Sequence, residues 1–244
     1  MSAAKTMNIQ QALSNITKQI HLTQPQMEEV MRAIMNGEAT DAQIGALMMG
    51  LRLKGESIDE ITAAARVMRE FAVKIDVSDL PHLVDIVGTG GDGTGTFNIS
   101  TTAAFIIAAA GIPVAKHGNR SMSSKSGSAD CLEQLGININ ITPEKSEEVL
   151  NKAGICFMFA QGYHSSMKYV GPVRKEIGIR NIFNVLGPLT NPAGADLQVT
   201  GVYSEALVEP IAQVFSNLGV KKGYVFYGMD GMDEVTLTTT TKVC

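Results

Sequence analysis

The segment at residues 88–96, Gly-Thr-Gly-Gly-Asp-Gly-Thr-Gly-Thr, is the part of the sequence best suited to bind an anion. Five of its first eight residues are glycine, and glycine permits positive φ angles and close approach of a ligand to the backbone. Successive backbone N–H groups can then form an anion-binding nest. The segment follows a β-type run at 83–87 and precedes a predicted helix at 100–110, whose N-terminus also favours anions. This order predicts a phosphate-binding loop rather than a flexible connection.

A second candidate anion site occupies residues 116–130, Lys-His-Gly-Asn-Arg-Ser-Met-Ser-Ser-Lys-Ser-Gly-Ser-Ala-Asp. It combines three cations, one histidine and five serine hydroxyls, a set suited to phosphate or diphosphate. A solvated surface loop is the alternative interpretation. That alternative weakens because both loops follow neighbouring strands of a predicted parallel sheet, and such sheets bind ligands at the carboxyl ends of their strands.

Asp233 and Glu234 follow a predicted turn at 228–231 and are candidate metal ligands. Adjacent residues on a strand point to opposite sides, so the two carboxylates could bind two separate ions. Hard oxygen ligands beside phosphates indicate Mg²⁺. Taken alone, the pair is better interpreted as part of a solvated turn, and the two phosphate loops are what favour the metal site.

Arg174 lies near the start of a predicted helix and could bind a carboxylate through a bidentate pair of hydrogen bonds. From spacing alone, a surface arginine is the simpler interpretation. His117 and His164 are weaker candidates, since a lone histidine is more often structural, and His21 and His82 are interpreted as structural.

The elements that must position these residues fall into two parts. Helical spacing of apolar residues dominates the first 75 residues, with a helix near 8–18 and capping boxes beginning at Thr23, Thr40 and Ser57. From Leu83 onward strands and helices alternate, which predicts an α/β fold with a mostly parallel sheet. We therefore expect a helical domain at 1–79 and an α/β domain at 80–244. The predicted strands are 83–87, 112–115, 137–141, 155–159, 197–202 and 223–227, with a β-run at 235–243; the later helices are 100–110, 130–135, 142–153, 165–179 and 206–218.

The composition of the sequence excludes several classes of protein. The 244 residues are 45% hydrophobic and 18% charged, which excludes overall disorder. The net charge of −4 argues against a broad nucleic-acid surface. The near-apolar run at 103–115 is too short to span a bilayer, and the N-terminus does not resemble a secretory signal. Three widely spaced cysteines fit a reducing cytoplasm.

A dinucleotide-binding interpretation has to be weighed, because Gly88, Gly90 and Gly93 match G-x-G-x-x-G. That motif needs its third glycine in the opening turn of the helix and an acidic residue at the tip of the second strand. Here residues 94–97 intervene before the helix, and the strand tip at 116–119 has no carboxylate. We therefore rank a dinucleotide-binding oxidoreductase last.

Four segments together resemble the anthranilate phosphoribosyltransferase family: GTGGDGTGTFNIST, KHGNRSMSSKSGSAD, VRKEIGIRNIFNVLGPLTNPA and GMDE. The resemblance runs from the helical N-terminus to the last residue. It implies a small helical domain, including a later segment near 165–188, joined to an α/β domain of the nucleoside phosphorylase type. It also implies a cytoplasmic homodimer formed through the helical domain. Members of the family are longer, so we expect the last part to be missing. Gln161 departs from the proline of many relatives.

The resemblance implies transfer of the phosphoribosyl group from 5-phosphoribosyl 1-pyrophosphate (PRPP) to the amine of anthranilate, in tryptophan biosynthesis. It implies no certain catalytic side chain, and catalysis by positioning and electrostatics. Anthranilate would contact Gly88, Asn119 and Arg174, and two Mg²⁺ ions would be served by Ser100, Asp233 and Glu234. The residues implied to bind PRPP are Gly88, Gly91, Asp92, Thr96, Asn98, Ile99, Ser100, Thr101, Lys116, His117, Gly118, Asn119, Arg120, Ser121, Met122, Ser123, Ser124 and Ser128.

Two rivals stay open beside this interpretation. A pyrimidine nucleoside phosphorylase has a similar fold and a related ribosyl transfer, but it lacks the KHGNR-type loop and needs no Asp-Glu magnesium pair. A catalytically inactive sensor of a phosphoribosyl ligand would bind the donor without turnover, so an assay of turnover separates it from the enzyme.

Overall fold

The computed structural model describes residues 7–121 and 126–244. Within them the chain forms eleven α-helices, six strands and three short 3-10 turns. The helices are α1 Ile9–Thr17, α2 Gln24–Met35, α3 Asp41–Lys54, α4 Ile58–Phe71, α5 Ile99–Ala109, α6 Ser128–Gln134, α7 Pro143–Ala153, α8 Ala160–Tyr163, α9 Gly171–Ile177, α10 Phe183–Leu186 and α11 Val208–Asn217. The strands are β1 Val84–Gly88, β2 Val114–Gly118, β3 Ile155–Phe159, β4 Leu197–Gly201, β5 Lys222–Gly228 and β6 Thr241–Val243.

The chain divides into a helical unit, residues 1–71 and 164–186, and an α/β unit, residues 72–163 and 187–244. Residues 72–79, which the sequence analysis assigns to the helical part, therefore lie in the α/β unit. Within the described residues no helix is both long and apolar enough to cross a membrane.

The helices of the helical unit begin where the sequence places their caps. Thr40 accepts a hydrogen bond from the Gln43 N–H, and the Gln43 side chain accepts one from the Thr40 N–H. Equivalent capping boxes start α1 at Asn8 and α2 at Thr23. The helices bury one apolar face each, which includes several methionines at no more than 3% exposure (Met27, Met31, Met35, Met48). These methionines fill the core of the unit.

The buried Glu60 carboxylate links the segment before α2 to the segment between α3 and α4. Glu60 is fully buried and accepts hydrogen bonds from the Leu22 and Ser57 N–H groups, both at 2.8 Å. The ammonium of Lys54, also buried, donates to Glu60 Oε2 at 2.8 Å. Burial alone would raise the pKa of Glu60, but the Lys54 and backbone hydrogen bonds outweigh it and lower that pKa below its usual range. Glu60 thus stabilises the folded unit in its charged form.

We expect Glu60→Ala to destabilise the protein by about 3–5 kcal/mol, because the Lys54 charge would remain buried without its carboxylate partner. Since the folded pKa lies below the unfolded value of about 4.5, the contribution of Glu60 is present above that pH and is lost as pH falls through the folded pKa. Denaturant unfolding at pH 7 and at acid pH measures both effects. Glu70→Gln, which removes an exposed partner of Arg32, should cost less than about 1 kcal/mol. Equal costs for the two variants would contradict this account.

The α/β unit is built on one sheet with strand order β3-β2-β1-β4-β5-β6. The first five strands are parallel and β6 pairs antiparallel with β5, which confirms the predicted α/β fold with a mostly parallel sheet. β1 pairs with β2 along one edge and with β4 along the other, so the chain continues from β1 in one direction across the sheet and later returns on the opposite side of β1. This change of direction is the switch point at which such sheets bind ligands, beside the carboxyl ends of the strands.

Some predicted elements differ from the structure. Residues 137–141 form no strand: Gly136 has a φ of 81° and turns the chain after α6, and only the Ile139 side chain of the isoleucines there is buried. The β-run predicted at 235–243 is strand only at Thr241–Val243, and the rest is a loop held by side-chain hydrogen bonds. The helix predicted at 165–179 is a 3-10 turn, Ser165–Tyr169, followed by α9.

Candidate functional site

The glycine loop, residues 89–98, leaves the carboxyl end of β1. Four of its glycines (Gly90, Gly91, Gly93, Gly95) have φ angles of 67°, 76°, 77° and 69°, which side-chain-bearing residues adopt at a cost. Its base is fixed to β4, because the Thr89 N–H donates to the Gly201 carbonyl and the Tyr203 N–H donates to Thr89 Oγ1, each at 2.9 Å. Asp92 accepts hydrogen bonds from the N–H and hydroxyl of Thr94, so the loop is a turn with internal support.

The two carboxylates of the predicted metal pair reach different parts of this site. Asp233 is 9% exposed, and its Oδ2 accepts a hydrogen bond from the Gly90 N–H at 2.8 Å. Glu234 Oε1 accepts from the Ser100 N–H at 3.2 Å and from the Ser100 hydroxyl at 2.5 Å, at the first turn of α5. The structure therefore brings the glycine loop, the start of α5 and the acidic pair together, although Asp233 and Glu234 lie in a bend rather than on a strand.

Burial and like charge act on both carboxylates. Burial first, and then the charge of Asp92, raise the pKa of Asp233 above its usual range. Burial also raises the pKa of Glu234, with a further contribution from Asp233, while the Ser100 hydrogen bonds oppose the shift. The mutual repulsion of these partly buried carboxylates, to which Asp92 adds, would be relieved by a bound cation.

The donor set fits Mg²⁺. Asp233, Glu234 and the Ser100 hydroxyl offer hard oxygen ligands, and Mg²⁺ is typically bound by one or two carboxylates together with substrate phosphates rather than by an all-protein cage. No group of three or more His, Cys, Asp or Glu side chains suited to a metal occurs among residues 7–121 and 126–244.

Two glycines make room for the acidic pair. A Cβ at Gly88 would lie 2.5 Å from Asp233 Oδ2, and a Cβ at Gly201 would lie 1.6 Å from the Asp233 carbonyl oxygen. Residues 88 and 201 are paired across β1 and β4, so the chain at Asp233 lies directly over the ends of these strands. Sequence reasoning missed Gly201. The only signal was a glycine near the end of a predicted strand, which carries no information about a neighbour 32 residues away.

The second loop is stabilised largely by its own residues. Arg120 donates to Asp130 at 2.9 Å and to Glu133 at 2.6 Å, and both carboxylates belong to α6. The Ser121 N–H donates to Asp130 Oδ2 at 3.2 Å, and the Ser128 hydroxyl donates to the Asn119 carbonyl at 3.3 Å. The predicted donor-binding residues Met122, Ser123 and Ser124 lie outside the described residues.

Lys116 and His117 lie in β2 and are 5% and 4% exposed. The Lys116 ammonium donates to the Ile86 carbonyl at 2.5 Å. Burial lowers the pKa of Lys116, while the charges of Asp85 and Glu234 act in the opposite direction. His117 Nδ1 is 3.2 Å from the Gly187 carbonyl oxygen, and the backbone N–H of His117 donates to Asp85 Oδ1 at 3.2 Å. Both residues thus support the sheet beneath the loops.

The remaining predicted donor residues lie around these loops. Gly118 ends β2, and a Cβ there would lie 2.4 Å from Ser128 Oγ. Asn98 Nδ2 donates to Ser126 Oγ at 3.4 Å, which links the two loops. Thr101 is buried within α5, Ile99 begins that helix, and Thr96 is an exposed residue of the glycine loop.

Arg174 belongs to α9 of the helical unit. Its guanidinium carbon lies 5.8 Å from the centroid of the Phe183 ring, close enough for a cation–π interaction. Burial lowers the pKa of Arg174 from its usual value. The side chain is therefore partly desolvated and oriented by packing, which favours recognition of a planar anion. His164, in the same unit, is 7% exposed.

The sequence matches two parts of a glycosyl transferase family: its helical bundle domain over residues 10–72 and its a/b domain over residues 80–244. Fold and site together therefore define a glycosyl transferase made of these two domains. An anthranilate phosphoribosyltransferase of Acinetobacter baumannii is 62% identical over 237 residues, a match that spans 97% of this chain and 68% of the relative. The enzyme of Acinetobacter baylyi is 63% identical over 238 residues, with the same coverage. The chain belongs to the anthranilate phosphoribosyltransferase family.

Solved structures agree with this assignment. The anthranilate phosphoribosyltransferase of Thermus thermophilus matches with a TM-score of 0.88 and 44% identity, over 96% of this chain and 72% of that one. The Saccharomyces cerevisiae enzyme in complex with PRPP and Mg matches with a TM-score of 0.87 and 27% identity, over 98% and 71%. The yeast enzyme in complex with 4-fluoroanthranilate matches with a TM-score of 0.83 and 25% identity, over 99% and 70%.

We expect Gly201→Ala to disable the site, because the new methyl group would overlap the Asp233 carbonyl oxygen and push the acidic pair away from Gly90 and Ser100. Gly223→Ala is the matched control: it lies in the adjacent strand of the same sheet, and its Cβ would meet nothing closer than 3.5 Å. Magnesium-dependent turnover and thermal unfolding should be measured for both. Wild-type turnover in Gly201→Ala would show that Asp233 does not depend on this close approach.

Proposed function

We propose that this chain transfers the phosphoribosyl group from PRPP to the amine of anthranilate, with release of pyrophosphate, as a step of tryptophan biosynthesis. The observation that carries the proposal is the meeting of a loop with four positive-φ glycines and an adjacent acidic pair at the switch point between β1 and β4. The family of the chain supports it, as do the ligands named for the yeast relative, PRPP with Mg and 4-fluoroanthranilate.

The donor is bound by backbone dipoles in this proposal. The positive φ angles of Gly90, Gly91, Gly93 and Gly95 let N–H groups of the loop turn towards a phosphate, and the N-terminus of α5 adds its macrodipole. Asn98, Thr96 and the second loop from Gly118 to Ser128 provide further polar groups for the phosphates. Such donors are fixed before the reaction, so they stabilise the charge that develops on the leaving pyrophosphate without reorganisation.

Asp233, Glu234 and Ser100 are proposed to bind magnesium, with two ions per subunit. Bound there, Mg²⁺ would neutralise charge on the pyrophosphate as its bond to ribose C1 weakens. The protein's own task is to present the carboxylates: Gly90 and Ser100 orient one oxygen of each by hydrogen bonds. The nearby Lys116 charge favours the charged form of Glu234 and so opposes the rise of its pKa.

Arg174 is proposed to bind the anthranilate carboxylate, with Asn119 and Gly88 as further contacts. A guanidinium forms two parallel hydrogen bonds with a carboxylate, which fixes the direction of the aromatic ring and so of the amine. An aromatic amine is neutral at pH 7, so the attack on C1 needs no strong general base. Catalysis then consists of positioning the amine and stabilising the leaving group.

Turnover and binding together test the function. We expect PRPP, anthranilate and Mg²⁺ to give phosphoribosyl-anthranilate, and calorimetry to show binding of PRPP with Mg²⁺ and none of NAD. Gly91→Val should abolish PRPP binding without unfolding the protein, since valine is strained at a φ of 76° in an exposed loop. Gly136→Val, at a φ of 81° outside the site, controls for strain alone. Binding of NAD in place of PRPP would favour an oxidoreductase, and PRPP binding without turnover would favour a sensor.

The acceptor role of Arg174 predicts a selective effect. Arg174→Ala should weaken anthranilate binding by about 1.5–3 kcal/mol, the range for hydrogen bonds to charged groups, and leave PRPP binding nearly unchanged. Steady-state KM values for both substrates measure the difference. Lys175→Ala, at the next and exposed position of α9, should alter neither. An equal loss for both substrates in Arg174→Ala would argue against direct contact with anthranilate.

A cytoplasmic homodimer that forms through the helical unit completes the proposal. Its support is the family resemblance together with exposed apolar side chains of that unit, Ile20 at 49% and Leu53 at 79%. Light scattering after size exclusion measures the oligomeric state, and a monomer at micromolar concentration would contradict this part.

A further inference from the structure

The loop that carries the acidic pair, residues 229–240, is held in shape by a third acidic residue, Asp230. Asp230 Oδ2 accepts hydrogen bonds from the hydroxyls of Thr236 and Thr238, each at 2.5 Å. The Thr238 N–H in turn donates to Thr236 Oγ1 at 3.0 Å. One carboxylate oxygen therefore joins the two ends of a segment that has Asp233 and Glu234 in its middle. We name residues 229–240 the acidic loop.

The acidic loop also folds back tightly over the end of β5. The Gly228 N–H donates to the Met232 carbonyl at 2.8 Å, and the Met229 N–H donates to the Thr240 carbonyl at 3.0 Å. A Cβ at Gly228 would lie 2.7 Å from Asp230 Oδ1 and 3.1 Å from the Glu234 carbonyl oxygen. The Asp230 carboxylate and the Glu234 backbone are thus packed against the same glycine, so a movement of one displaces the other.

We propose that Asp230 is a positioning residue, which sets the place of Asp233 and Glu234 by clamping the acidic loop through Thr236 and Thr238. The proposal rests on the magnesium role proposed for Asp233 and Glu234. Asp230 is exposed, and its Oδ2 accepts from two hydroxyls of the acidic loop, so its role is to act through the loop. Hydrogen bonds to a carboxylate are stronger than those to a neutral acceptor, which explains an aspartate here. The same hydroxyls lower the pKa of Asp230, so the clamp is charged at neutral pH.

The clamp predicts a graded series of variants. Asp230→Ala removes both hydrogen bonds, whereas Asp230→Asn keeps an acceptor oxygen but loses its charge, so Asn should rescue part of the defect. Thr236→Val and Thr238→Val remove the donors and should reproduce it. Thr239→Val is the matched control, because it makes the same change at an exposed position of the acidic loop. Asp233→Asn serves as the variant that alters the pair itself.

The experiment measures Mn²⁺ binding to the whole protein from the electron paramagnetic resonance signal of the free ion, with no substrate present. Loss of a group that orients metal ligands typically weakens affinity about 10- to 100-fold, and we expect Asp230→Ala and the two threonine variants to fall in this range. Asp230→Asn should fall between them and the wild type. Turnover should recover at high Mg²⁺ with kcat near the wild-type value, since the ligands themselves remain. Wild-type affinity in Asp230→Ala, or in both threonine variants, would overturn the proposal.

A second measurement does not depend on metal. Amide hydrogen exchange reports whether the Gly90 and Ser100 N–H groups keep their acceptors, Asp233 and Glu234. Exchange over residues 88–100 should be faster in Asp230→Ala than in the wild type and unchanged in Thr239→Val. Unchanged exchange in Asp230→Ala would also overturn the proposal. If the wild type binds no Mn²⁺, the proposed magnesium site is wrong, and the exchange experiment alone then decides whether Asp230 positions the pair.

Discussion

The site depends on one close approach of backbone to backbone: the chain at Asp233 lies against Gly88 and Gly201 at the ends of two paired strands. Only residues without a Cβ permit it, since a methyl group at Gly201 would lie 1.6 Å from the Asp233 carbonyl oxygen. This close approach determines where the two carboxylates lie. It brings one carboxylate to the Gly90 N–H and the next to the first turn of α5, and it thereby joins a loop after β5 to a loop after β1. The parallel sheet provides the frame, because its register aligns Gly88 with Gly201.

This arrangement has an electrostatic cost. The pKa values of Asp233 and Glu234 are raised, chiefly by burial, so the folded state holds protons on them more tightly than the unfolded chain does. For such acids the charged form opposes folding, and the penalty is present at any pH above both the unfolded and the folded pKa. The helical unit shows the opposite design: Glu60 is more deeply buried, yet its pKa is lowered because Lys54 and two backbone N–H groups satisfy it. Donors of the protein satisfy the charge of Glu60, whereas the charges of Asp233 and Glu234 are left for a ligand to neutralise.

Sequence reasoning succeeded where the physical cause is local. Capping boxes at Thr23 and Thr40 act over three residues, and the glycines after β1 themselves indicate positive φ angles. It failed where residues outside the pattern decide the conformation. The isoleucines at 137–141 alternate like a strand, but they follow a left-handed glycine and never pair with the sheet. Residues 235–240 resemble a strand by composition. The hydroxyls of Thr236 and Thr238 instead donate to Asp230, and the segment forms a loop. The role of Gly201 was equally hidden, because nothing near it in the sequence indicates Asp233.

The structure also explains how a chain of net charge −4 can bind a polyanion. Of the three cations in the second loop, Lys125 lies outside the described residues, Lys116 donates to a carbonyl inside the sheet, and Arg120 is paired with Asp130 and Glu133. Side-chain charge is therefore largely matched within the protein itself. The attraction left for a phosphate comes from backbone N–H groups of the glycine loop and from the N-terminus of α5, although the Gly90 and Ser100 N–H groups there also donate to Asp233 and Glu234. Such donors orient the anion but neutralise little of it, so the neutralising charge has to come from a cation. An acidic pair beside the glycine loop is the arrangement that this requirement favours, because it can bind a metal ion next to the phosphates.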